Sequence, residues 1–186
     1  MVAPDTQAGA KRQMASQNSP DQDVPEHLQP TDPKVEQKVA FLRDVSLFQY
    51  LDKEGMTRLA SRVREVSLPA GRVLKENEPA DGLYIIRSGL VKVTKPAASH
   101  QAEVDLAILR RGNFFGEIGL IDGLPRSASI TVLETTECYF LPRPVYITAV
   151  RENPEIALGM LPALAAMVRN ADQIAQTLLD MLLKDR

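Results

Sequence analysis

The spacing of hydrophobic positions along this chain changes character three times. From Met1 to about Pro33 there is no period at all: Pro4, Pro20, Pro25, Pro30 and Pro33 stand among Gln, Asp, Ser and Ala, with no aromatic side chain. Such a stretch cannot bury enough surface to offset the entropy lost on ordering it, so residues 1–32 are expected to form a disordered tail. Asp32 followed by Pro33 reads as an N-cap with proline at the first helical position and predicts a helix through about Arg43. A second helix is expected after Ser46, because Leu47, Phe48, Leu51, Met56, Leu59, Ala60 and Val63 recur along one helical face. The two helices make up an expected segment 33–62.

From Val63 the apolar runs shorten and turn residues interrupt them, at Pro69-Ala70-Gly71, Pro79-Ala80-Asp81-Gly82, Ser88-Gly89, Pro96-Ala97-Ala98-Ser99, Arg111-Gly112-Asn113 and Asp122-Gly123-Leu124-Pro125. Between them lie strand-like runs at Leu83–Ile86, Leu90–Thr94, Val104–Leu109, Ala128–Leu133 and Glu137–Leu141. Short β-rich runs at this regular spacing predict a mainly β unit over residues 63–145, an antiparallel β-roll or jelly roll with helices on either side.

Residues 146–186 return to helical spacing, with Asn153-Pro154 as the next helix start and Pro162 expected to break or kink the helical pattern, leaving a short helix before it and a long one after it. Beyond it Leu164, Val168, Ala171, Ala175, Leu178 and Leu182 form a heptad seam, and Met160, Met167, Ile174 and Met181 run beside it at strict seven-residue spacing. One stripe is expected to face the chain's own β-roll and the other an identical helix, giving a homodimer; packing within a single monomer is the alternative.

Composition narrows the function. With 44% hydrophobic and 25% charged residues among 186, the chain holds one domain with a real core. Lys and Arg number 22 against 24 Asp and Glu, so no overall basic field exists for nucleic acid or an anionic membrane. No run approaches the roughly 20 apolar residues that span a bilayer, and Met1–Ala15 carries no apolar signal core. A cytoplasmic protein is expected, in line with its single cysteine, Cys138, read as a small buried side chain. His27 and His100 are too few and too poorly placed for a metal centre or a catalytic triad, so neither catalysis nor metal binding is expected.

The densest chemistry lies in Phe114–Ile130, FFGEIGLIDGLPRSASI. Glycines at 112, 116 and 119 allow tight turns, and backbone N–H groups around Gly116–Leu120 at the start of a short helix would form an anion nest. Arg126 could close over the same anion with a charge-assisted contact, while Glu117, acceptor-only when ionised, suits hydroxyl donors. Together they describe a site for a sugar phosphate; an ordinary surface ion pair between Glu117 and Arg126 is the alternative.

Phe115-Gly116-Glu117-Ile118-Gly119-Leu120 with Pro125-Arg126-Ser127-Ala128 resembles the phosphate-binding cassette of cyclic nucleotide-binding domains. That family includes protein kinase A regulatory subunits, cyclic-nucleotide-gated channels and the bacterial cAMP receptor protein. The similarity extends through the turns at Leu68–Gly71 and Glu78–Asp81 and the run Leu83–Gly89. It implies that Glu117 binds the ribose 2′-OH and Arg126 the cyclic phosphate, with backbone near Gly116, Ile118 and Gly119 and the Ser127 side chain completing the phosphate shell. Val93 and Leu106 would line the base. The helical Thr-Ser pair of the bacterial receptor falls on Ala171-Asp172, which leaves Asn170, Asp172 or Gln173 as candidate base contacts, with an ordinary solvated helix face as the alternative. Ser127 leaves cAMP and cGMP both open as ligand, and a cyclic dinucleotide with them.

Bacterial relatives of the receptor type continue past the long helix into a helix-turn-helix module, whereas only Lys184-Asp185-Arg186 remain here. The expected function is therefore a stand-alone sensor of cAMP or cGMP that relays binding through its C-terminal helix to an unidentified protein, without direct nucleic-acid contact. Two other readings stay open: a dimeric scaffold with an unused pocket, and a truncated transcription regulator.

Overall fold

The computed structural model describes residues 32–97 and 103–184. The expected tail, with His27, and the loop carrying His100 lie outside the described residues.

Helix α1, Pro33–Arg43, starts where the sequence places it: the Asp32 side chain accepts from the Lys34 N–H at 2.9 Å. The second helix is split. A 3-10 turn, Ser46–Phe48, buries Leu47 and Phe48, and α2, Lys53–Arg62, begins anew at its own N-cap, Asp52, which accepts from Gly55 N–H at 2.7 Å. The expectation of one helix from Ser46 missed this cap; the apolar spacing persists because turn and helix cover the same core.

Six antiparallel strands come next: β1 (Arg64–Leu68), β2 (Val73–Leu74), β3 (Gly82–Pro96), β4 (Glu103–Leu109), β5 (Phe114–Phe115) and β6 (Ser129–Pro142). Their order is β1-β6-β3-β4, with β2 also on β6 and β5 also on β3. This is the jelly-roll sheet with flanking helices expected from the sequence. Two expected breaks are absent. Ser88-Gly89 is not a turn: β3 runs through it as a bulge, with register shifts against β6 between Ile86 and Val91. Gly89 sits at φ +96 against Thr136, and a Cβ there would lie 2.6 Å from the Thr135 carbonyl oxygen, so only glycine fits the bulge. In the same way Ala128–Leu133 and Glu137–Leu141 merge into the single strand β6.

Two apolar cores result. One, built on Leu42, Phe48, Leu59, Leu83, Ile85 and Leu141, joins the helices to one end of the roll; the other, built on Leu68, Ile86, Val91, Phe115 and Val132, fills the roll itself. Helix α3, Glu117–Asp122, interrupts the strands. Helix α4, Arg143–Glu152, directly succeeds β6, three residues before the expected boundary at 146.

Helix α5, Glu155–Lys184, is continuous. Pro162 neither ends it nor divides it in two, contrary to expectation. The carbonyl its missing N–H leaves free belongs to Leu158, an exposed residue, so water can take the place of the lost bond. The first turns of α5 are anchored through buried Ile156 and Met160 and through Gly159, where a Cβ would overlap the Leu47 carbonyl.

Candidate functional site

Strand β5 pairs with β3 at Tyr84↔Phe115, and the two rings stack with centroids 4.9 Å apart. This pairing delivers Gly116 to the head of α3 in a left-handed conformation, φ +91, which a side chain would resist. Leu120 N–H donates to the Gly116 carbonyl at 3.1 Å, so the N–H groups of Glu117, Ile118 and Gly119 precede the first intrahelical bond; that of Glu117 is directed to its own carboxylate, and those of Ile118 and Gly119 have no acceptor within the helix. Gly119 lets α3 lie against Ala80 and the Leu124 carbonyl; a Cβ would stand 2.8 Å from that oxygen.

Arg126 is fixed by its backbone and its head. Its N–H donates to the Glu78 carbonyl and its carbonyl accepts from Asn77 N–H, both at 2.9 Å. Its Nη2 donates to Asp81 Oδ1 at 2.5 Å, and the guanidinium lies over the Tyr84 ring, 5.7 Å from the centroid. Asp81 also accepts from the Tyr84 hydroxyl, through Oδ2 at 2.8 Å. One half-open carboxylate thus orients two buried groups, and the remaining face of the guanidinium lies beside Gly116. Burial, with the hydrogen bond and charge of Asp81 behind it, pushes the Tyr84 phenol up to about 12, so it stays a donor at neutral pH.

Glu117 and Arg126 are each 7% exposed. The expected alternative, a surface ion pair between them, is therefore excluded: both are buried, and the partner of Arg126 is Asp81. Burial raises the Glu117 carboxyl above the usual glutamate range, opposed by a hydrogen bond from its own backbone N–H.

These groups open onto a cavity of about 480 Å³, within the range of small-molecule sites. Gly116, Glu117, Ile118, Gly119, Arg126, Ser127, Val93 and Leu106 all line it, as does Asn170. Asp172 and Gln173 do not; they lie on exposed stretches of α5 away from the lining. The face of α5 that closes the cavity carries Met167, Asn170, Ala171 and Ile174, spaced three, one and three residues apart as one helical face requires. Met167 and Ile174 of one expected stripe and Ala171 of the other all border the cavity, and Met167 and Ile174 remain exposed, so the two stripes are not divided between the roll and a free face here. Leu106 enters through a bulge: β4 pairs Val93↔Ala107 and then Thr94↔Asp105, leaving Leu106 the extra residue, so two successive side chains reach one cavity.

Sequence reasoning missed Asp81, whose role depends on a turn brought beside Arg126 from 45 residues away. It also missed Lys95, a cationic side chain on the cavity wall, although its two-residue spacing from Val93 put it on the same strand face. Cys138 is buried, with its thiol pushed up to about 12 by burial. Among the described residues no cluster of three His, Cys, Asp or Glu could hold a metal, and no helix is long and apolar enough to cross a membrane.

The roll, the short helix at its mouth and the buried carboxylate and guanidinium frame a cavity of small-molecule size. The family model described as cyclic nucleotide-binding domain matches residues 65–153. A CRP-like cAMP-activated global transcriptional regulator from Mycobacterium tuberculosis is 30% identical over 132 residues, 70% of this chain and 58% of that protein. The crystal structure of Thermus thermophilus catabolite activator protein superposes with a TM-score of 0.65 at 31% identity, covering 72% of this chain and 62% of that one. The N-terminal domain of a transcriptional regulator from Streptomyces coelicolor A3(2) gives 0.58 at 30% identity, covering 72% and 95%. The chain belongs to the cyclic nucleotide-binding domain family, and it spans a little over half the length of the Mycobacterium relative.

Proposed function

We propose that the cavity binds a cyclic mononucleotide, cAMP or cGMP, and that the chain is a non-catalytic sensor of it. The observation that carries this reading is the buried pair Glu117 and Arg126 on one cavity wall. Arg126, preset by Asp81 and Tyr84, meets the cyclic phosphate together with the free N–H groups at the start of α3. Glu117, ionised, accepts from the ribose 2′-OH, and Ser127 donates to the phosphate. Val93 and Leu106 give the base an apolar bed. The relatives named for cAMP support the ligand class.

The same proposal has α5 as the output. It supplies one wall of the cavity while standing free along its other side, where Leu158, Leu161 and Val168 are exposed, so ligand contacts with Met167, Asn170 and Ile174 would bias its position. The exposed apolar residues support dimerisation through α5, which sedimentation velocity would test. We place the protein in the cytoplasm, acting on a partner protein.

Calorimetry tests the site. Arg126→Ala removes a charge-assisted contact from a desolvated anion and should cost about 2–4 kcal/mol, roughly 30- to 1,000-fold in Kd. Unchanged affinity, or a parent protein that binds neither nucleotide, would leave the roll as a scaffold with an unused pocket.

A further inference from the structure

We propose that Lys95 is the residue through which this cavity tells purine bases apart, weighting it toward a 6-oxopurine such as guanine. The inference rests on the cyclic nucleotide reading and goes on to name the base. Three ionisable side chains line the cavity: Glu117 and Arg126, buried at the cassette, and Lys95, exposed on β3. Lys95 stands two positions beyond Val93 on the same strand face, with Val104 of β4 opposite it. Its neighbour Lys92 is engaged with Asp105 at 3.1 Å, whereas among the described residues Lys95 has no ion-pair partner.

The anion of the ligand is already served by Arg126 and the head of α3, so a solvated ammonium on the rim is free for the base. It is a pure donor with three hydrogens. Guanine presents it with two adjacent acceptors, O6 and N7. Adenine presents N7 beside an N6 amino group, itself a donor, and wastes the contact. Asn170, on the helix across the cavity, both donates and accepts and so discriminates less on its own.

The test is titration calorimetry of the parent and Lys95→Met with cGMP, cAMP and cyclic IMP, which keeps O6 and N7 and lacks the 2-amino group. The change is at an exposed position and retains the aliphatic bulk of the side chain, and a melting curve checks the fold. The expected result is a loss of about tenfold for cGMP and cyclic IMP with cAMP altered by less than about twofold. Equal losses for all three would make Lys95 a phosphate contact and overturn the proposal, as would no change for any. A parent protein that binds none of the three overturns the cyclic nucleotide reading itself.

Discussion

Gly119→Ala probes how closely the ligand-facing end of α3 is held. Its added Cβ would overlap the Ala80 Cβ and lie 2.8 Å from the Leu124 carbonyl oxygen, neither of them the far end of a flexible side chain. Reaching ordinary separation would move α3 by roughly 1 Å away from the turn that carries Ala80 and Asp81. Overpacking of this kind costs about 1–3 kcal/mol. The gain from replacing a helical glycine with alanine, about 1 kcal/mol, offsets part of it, so stability should fall by no more than about 2 kcal/mol. Affinity should suffer more, because the shift carries Glu117 and the free N–H groups away from Arg126, which is anchored separately through Glu78, Asn77 and Asp81. A loss of ten- to a hundredfold in cyclic nucleotide Kd is expected, on the order that displaced positioning groups cost elsewhere. Calorimetry and chemical denaturation read the two effects side by side. Adding Ala80→Gly removes one of the overlapping atoms and should restore part of the affinity. Parental affinity in Gly119→Ala alone would refute the close registry between α3 and the Ala80 turn.

Glu117→Gln should weaken nucleotide binding less than Arg126→Ala, and a 2′-deoxy ligand should bind variant and parent alike. Because burial raises the Glu117 pKa, its protonation stabilises the fold fully below the ordinary glutamate value of about 4.3, and that contribution is lost as pH rises through the folded value. The glutamine variant should therefore melt higher than the parent at pH 7, with the gap closing below about pH 4; a constant gap across that range would count against a buried carboxyl. Asp81→Asn should let Tyr84 ionise below its present value of about 12, visible as an earlier step in a tyrosinate absorbance titration, because the charge that opposes phenolate formation is gone. Gly159→Ala should cost at least about 2–3 kcal/mol in urea denaturation, since the overlap with the Leu47 carbonyl pushes α5 off the 3-10 turn.

The order of elements was legible in the sequence because each boundary has a local chemical cause. Asp32-Pro33 fixes the start of α1, and the β-roll announces itself through turn residues between short apolar runs. The cassette could be read for the same reason, since its glycines, Glu117 and Arg126 lie within 11 residues of one another. Features that depend on a second segment were not legible. Ser88-Gly89 looks like a turn until Thr136 is seen packed against it, and Pro162 looks like a breaker until the residue four positions before it, Leu158, is seen to be exposed. Asp81 and Lys95 carry ordinary surface chemistry in sequence, and only the fold brings Asp81 to Arg126 and Lys95 to the cavity wall.

The seating of Gly159 on Leu47 makes α5 a lever with its fulcrum near one end. Ile174 lies 15 residues beyond that point, about 22 Å along the axis at 1.5 Å per residue. A tilt of about 10° about Gly159 would carry Ile174 through about 4 Å, enough to open or shut the cavity wall it forms. The helix so multiplies displacement at the cost of stiffness, and a small change in contact at its anchored turns would be read out as a large one at its far end.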